Sequence, residues 1–261
     1  MSHARVFQYD PNSTRSTLVL DGVARAARYA FGPNKLHLCG PDANREVLAY
    51  LQEGASDAGL GNILKGFETL YPYLRQIAEA NHLSDPFDSR VVEAYWIGNE
   101  LLEMIPVKTY YRHLAETLRL KDRYDPKSFG ELALKLPRGG RMHHAFHVLN
   151  AYKRTGHDAK LHTLESMDAC RVSWGTVSAV DGLSLTVQRR PLVLNGHHLV
   201  LSEPVAVTVQ RKLEDDFFED VRPGDVITMH WGVPCEVVSE RNIRFLEHYT
   251  RISIALSNET L

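Results

Sequence analysis

The chain has 261 residues, 44% of them hydrophobic and 24% charged, with a formal net charge of -2. That length holds one large domain or two smaller ones around a packed core. Near-neutrality argues against a nucleic-acid-binding protein, which needs a concentrated basic face. The three cysteines, Cys39, Cys170 and Cys235, are odd in number and lack CxxC spacing, so a disulfide framework is not expected and reduced thiols in the cytoplasm fit better. The polar N-terminus "MSHARVFQYDPNSTRSTL" has no signal-peptide core, and no apolar run reaches membrane-spanning length.

The first half reads as helices. "STLVLDGVARAARYAF" spaces its apolar residues three and four apart, and "GPNKLHLCGPD" then interrupts with two Gly-Pro turn signals. "DANREVLAYLQEG" resumes, with Asp42 as a candidate cap and Gly54 as a stop. "NILKGFETLYPYLRQIAEANH" is a further helix that Pro72 bends or divides. "DSRVVEAYWIGNELLEMI" is the clearest, with Gly98 inside it as either a point of close helix contact or a modest defect. "VKTYYRHLAETLRL", "FGELALKL" and "PRGGRMHHAFHVLNAYKRTGH" complete a bundle-like set.

Near Lys160 the texture changes to β-branched residues with the hairpin signals Asp181-Gly182 and Asn195-Gly196. "VAVTVQRKL", "GDVITMHW" and "PCEVV" add short strands, and "VQRKLEDDFFED" reads as a solvated connection. A C-terminal amphipathic helix, "SERNIRFLEHYTRISIALSN", starts at a capping Ser239. The expected class is α+β: a helical domain over 1–160, then a small OB-like β barrel with a terminal helix over 161–261.

Two groups carry candidate chemistry. His143, His144 and His147, with His157 and His162 beyond, offer imidazole pairs three and four apart for a borderline metal. No HExxH pattern is present. The bland alternative is an ordinary hydrogen-bonded histidine face. The second group is Cys170 with His230, one at the expected edge of a strand and one within a strand, with Asp168 and Arg171 able to orient them. A thiol that merely fills space is the alternative there, as for Cys39 in "CGPD".

"CRVSWGTV" followed by "GDVITMHWG" and a terminal helix resembles the HypC/HupF family of hydrogenase maturation chaperones, over roughly Cys170 to Leu256. The family's opening cysteine matches Cys170 and its strand histidine matches His230. The resemblance implies an OB-like barrel and a role in holding an iron fragment that bears cyanide and carbon monoxide. It implies as partners a HypD-type scaffold protein and a hydrogenase large subunit precursor. Three departures stand out: Cys170 is internal and has no free amine, Trp174-Gly175 replaces Pro-Gly, and the helical half has no counterpart.

Three functions follow as expectations. The first is a metal-centre assembly or delivery factor that uses Cys170 and His230, with His143, His144 and His147 completing the site. Cysteine and histidine ligation suits iron, zinc and nickel alike. The second is a metalloenzyme built on the histidine cluster, with Cys39, Asp42, Asp88, Glu100 or Glu103 nearby. The third is a metal-free interaction module anchored by Trp96, Tyr110 and Tyr111.

Overall fold

The computed structural model describes residues 21–151, 162–210 and 221–261, with a short antiparallel pairing of Phe7–Gln8 (β1) and Thr17–Leu18 (β2). His157 and most of the acidic connection after Gln210 lie outside the described residues.

The first helix, α1 (Gly22–Lys35), begins where the Asp21 carboxylate accepts from the backbone N–H groups of Val23 and Ala24. It does not stop at "GPN" as expected but runs through Gly32 and Pro33. After it come α2 (Asn44–Gln52), α3 (Ala58–Lys65) and α4 (Leu70–Ala80). Pro72 divides nothing, because it sits in the first turn of α4, where no intrahelical N–H bond is due. The long helix expected from Asp88 is cut: α5 (Ser89–Trp96) ends before Gly98, whose φ of +99° is outside the helical region. A Cβ on Gly98 would lie 2.3 Å from the Tyr249 ring, so the glycine permits the close helix contact.

Shorter helices follow: α6 (Val107–Arg112), continued by a π-helical turn at His113–Thr117, then α7 (Leu120–Arg123), α8 (Pro126–Lys135), α9 (His144–Asn150) and α10 (Leu164–Cys170).

The β region comprises β3 (Ser173–Asp181), β4 (Ser184–Arg189), β5 (Leu192–Asn195), β6 (His198–Leu201), β7 (Val205–Gln210), β8 (Val226–His230) and β9 (Val233–Val237). Five strands form an antiparallel sheet in the order β7-β4-β3-β8-β9, and β5-β6 is a separate hairpin. The expected barrel is therefore corrected: the sheet is open, and its edge strands β7 and β9 are not hydrogen-bonded to each other. Both glycine turn signals hold, with Gly182 and Gly196 at positive φ between paired strands. The last helix, α11 (Glu240–Ser257), starts in a capping box formed by Ser239 and Asn242.

The main apolar core crosses residue 160. Tyr29, Leu64, Tyr73 and Ile97 share it with Val172, Cys235, Leu246 and Tyr249. A buried ion pair ties α1 to β9, where Glu236 accepts from Arg25 and from the Tyr29 hydroxyl. A smaller core of Val177, Leu185, Val187 and Ile227 lies on the sheet. Among the described residues no helix is long and apolar enough to cross a membrane.

A candidate metal centre between helices and sheet

A pocket of about 70 Å³ opens where α1, α5, α9, α10 and the end of β8 meet. That is room for a few water-sized groups. Its wall includes Cys39, Tyr95, Trp96, His144, Cys170 and His230. The ligand atoms of His144, Cys170 and His230 lie within 4.8 Å of one another, and the Cys170 sulfur is 3.9 Å from His144 Nε2. A four-coordinate ion with bonds of 2.0–2.3 Å separates its ligands by roughly 3.5 Å. A small inward adjustment would bring the three atoms to that spacing.

His230 is positioned by a device that begins in the sequence of α1. Proline has no N–H to give the carbonyl four residues back. The carbonyl that Pro33 leaves without this bond is that of Tyr29, and it accepts from His230 Nδ1 at 2.5 Å. A carbonyl only accepts, so Nδ1 carries the hydrogen and Nε2 keeps its lone pair. Nε2 is buried and makes no hydrogen bond of normal geometry, although the Cys170 carbonyl lies close enough to raise the ring's pKa. Burial pushes the His230 pKa down to about 4, so the ring is neutral at pH 7. This is the arrangement in which a metal-binding imidazole is usually held, with its far N–H on a carbonyl. Gly32 makes the approach possible, because a Cβ there would lie 2.6 Å from the His230 carbonyl oxygen.

Trp231 and Gly232 form the two-residue turn from β8 to β9, both at positive φ (52° and 71°). Such a backbone is strained for tryptophan. The Trp231 N–H donates to the Ala169 carbonyl at 2.8 Å, which ties the end of β8 to the residue before Cys170.

His144 stands in the first turn of α9, edge-on to His230 with ring centroids 5.1 Å apart. Its Nε2 donates to the Cys170 carbonyl at 2.8 Å, so Nδ1 accepts from the Tyr95 hydroxyl at 3.0 Å. Binding a metal through Nε2 requires the other tautomer. Tyr95 can serve it by accepting where it now donates. Burial holds the His144 pKa well below its ordinary value, so the ring is neutral and able to ligate.

Cys170 is not at a strand edge, as the sequence suggested, but is the last residue of α10. Asp168 anchors that turn by accepting from Arg171, from Arg189 and from the Leu192 N–H. Arg171 also donates to the Arg190 carbonyl. Asp168 and Arg171 thus tie the end of α10 to β4 and β5, rather than contacting the Cys170 or His230 side chains directly.

The histidine cluster separates. His143 is the N-cap of α9, accepts from the Ala145 N–H and stacks on Tyr249, so only His144 of that trio joins Cys170 and His230. His147 lines the same pocket but bonds the Tyr73 hydroxyl through Nδ1 at 3.1 Å. His162 is also at the wall, with its nitrogens on the Val148 carbonyl and Ser166. The carboxylates do not converge: Asp88 caps α5, Asp42 is exposed beside His37, Glu100 pairs with Arg241 and Glu103 with Arg141. Trp96 forms pocket wall against both His144 and His230, Tyr110 is buried, and Tyr111 is exposed.

Sequence reasoning missed Tyr29, Pro33 and Tyr95 as supports. The "GPN" triplet was a visible signal, although it reads locally as a break.

A family model described as a family of unknown function (DUF6390) matches residues 19–261. No curated protein and no solved structure matches the chain.

Proposed function

The chain belongs to the DUF6390 family, to which no function is assigned, and we propose that it holds one transition-metal ion through His144, Cys170 and His230. A fourth position would face the pocket. The observation that carries this reading is the convergence of the His144, Cys170 and His230 ligand atoms within 4.8 Å, around a buried His230 Nε2 that makes no hydrogen bond of normal geometry and whose ring is held by the Tyr29 carbonyl. An apolar site spends stability on such an atom unless something binds it.

The reading favours a resident ion of a metalloenzyme-like centre. The ligands come from α9, α10 and β8, and His144 and His230 are buried. Release would require those elements to part. Thiolate with imidazole suits zinc, iron and nickel, and a reducing cytoplasm would keep Cys170 available.

A second reading is the assembly or delivery factor implied by the resemblance. The meeting of Cys170 with His230 supports it, as does the half-buried position of Cys170 at the pocket. Its cargo would be an iron fragment bearing cyanide and carbon monoxide, passed between a HypD-type scaffold and a hydrogenase large subunit precursor.

Anaerobic purification, elemental analysis and infrared spectroscopy test both. About one metal per chain is expected in the wild type, with most of it lost in Cys170→Ala and His230→Ala. Cyanide and carbon monoxide bands would select delivery, and their absence from metal-loaded protein selects the resident ion. Wild-type protein that neither retains a metal nor takes up zinc, iron or cobalt overturns both.

A further inference from the structure

The pocket contains one imidazole that no other group engages on its open side. His147 lines the cavity and is 8% exposed. Its Nδ1 lies 3.1 Å from the Tyr73 hydroxyl, and that hydroxyl lies 3.2 Å from the Tyr110 hydroxyl. Among the described residues Nε2 of His147 has no hydrogen-bond partner. The other wall histidines differ, since His162 has both nitrogens bonded to protein and His144 and His230 belong to the ligand set.

The hydroxyl pair gives His147 two equivalent settings. When Tyr73 donates to Nδ1, Nε2 carries the hydrogen and is a donor into the pocket. When Tyr73 donates to Tyr110, it accepts from Nδ1–H and Nε2 becomes an acceptor. The interchange moves hydrogens and rotates hydroxyls while every heavy atom stays in place.

We propose that His147 is the positioning residue for a small anionic or hydrogen-bonding ligand at the open coordination position, with Tyr73 and Tyr110 setting the sense of its hydrogen bond. The proposal rests on the metal-binding reading above. It names the ligand class: a few non-hydrogen atoms, as the cavity of about 70 Å³ requires, carrying a charge or a polar hydrogen that reaches Nε2. Ala30, Leu70 and Val148 make part of the wall apolar and would strengthen that polar contact by excluding water, beside the polar Thr69 and Tyr95 and the Trp96 indole N–H.

Cobalt(II) is the probe metal and azide the probe ligand. Metal stoichiometry and cobalt affinity are measured for wild type, His147→Phe, His147→Gln and Tyr73→Phe, and each loaded protein is then titrated with azide by visible absorption. Expected are unchanged stoichiometry and cobalt affinity in all four. The azide Kd should rise about tenfold or more in His147→Phe, as a charge-assisted hydrogen bond implies. It should recover in part in His147→Gln and rise less in Tyr73→Phe. Equal azide affinity in wild type and in both His147 variants overturns the proposal while leaving the metal site standing. Loss of cobalt binding in His147→Gln, with its fold intact by circular dichroism, also overturns it by making His147 a ligand. Failure of the wild type to bind cobalt overturns this proposal, and if zinc and iron are refused too, the metal reading with it.

Discussion

At the scale of single residues, Pro33 and Gly32 govern His230 from 197 and 198 positions away in sequence. Pro33→Ala restores an N–H that competes for the Tyr29 carbonyl. The helix should then gain or keep stability while His230 loses the bond that fixes its tautomer. Outer-layer partners of metal ligands are typically worth 10- to 100-fold in affinity. A Pro33→Ala protein that melts no lower than wild type but binds zinc about tenfold more weakly is the expected outcome, read by calorimetry. Unchanged zinc affinity would remove the role given to Pro33. Locally, proline and glycine signal a break, because helix rules price the missing N–H and the missing Cβ. Here both absences are used by a tertiary neighbour, which a local reading has no means of finding.

At the scale of elements, α10 decides where the thiol points. Its last turn is held by Asp168, and Arg171 on the same turn is almost fully buried, its side chain 1% exposed. Removing the carboxylate leaves that guanidinium without its counter-charge. Breaking one partner of a buried pair typically costs about 3–5 kcal/mol. Asp168→Ala should therefore lower stability by about that amount in urea unfolding and weaken metal binding in parallel. A loss under 1 kcal/mol would show that α10 is held by its apolar contacts alone. The hairpin turns and the capped C-terminal helix were legible in the sequence, because their signals lie within a few residues of each other. The position of Cys170 was not. "MDACRV" is compatible with a helix end or a strand start, and its hydrogen bonds to β4 and β5 settle which.

At the scale of the molecule, five imidazoles are held neutral inside one fold. Burial pushes His113 and His143 down to about 3 and His147 and His230 to about 4, and it holds His144 well below its ordinary value. The unfolded chain takes up these protons near pH 6.5 and the folded chain does not, so between about pH 6.5 and 4 the unfolded state binds more. Stability is level above about pH 6.5 and falls as the pH drops through that window, each histidine adding up to about 1.4 kcal/mol per pH unit. Thermal melting should show little change from pH 8 to 7 and a steep decline from pH 6.5 to 5. A flat profile down to pH 5 would mean that these rings ionise freely inside the fold.

The sequence by itself determined the α+β class, the order of helices before strands, the glycine turns and the Ser239 cap, whereas the helix Leu164–Cys170 places the first sheet strand at Ser173, later than the change of texture near Lys160. Each follows from periodicity or turn chemistry and depends on residues close together in the chain; the pairing of Cys170 with His230 came chiefly from the resemblance. Only the tertiary structure decided that the sheet stays open, that His144 rather than His143 lies beside Cys170 and His230, and that a proline in α1 orients an imidazole in β8. Those outcomes arise because buried polar atoms must find partners wherever packing puts them, and packing joins residues that the chain keeps far apart.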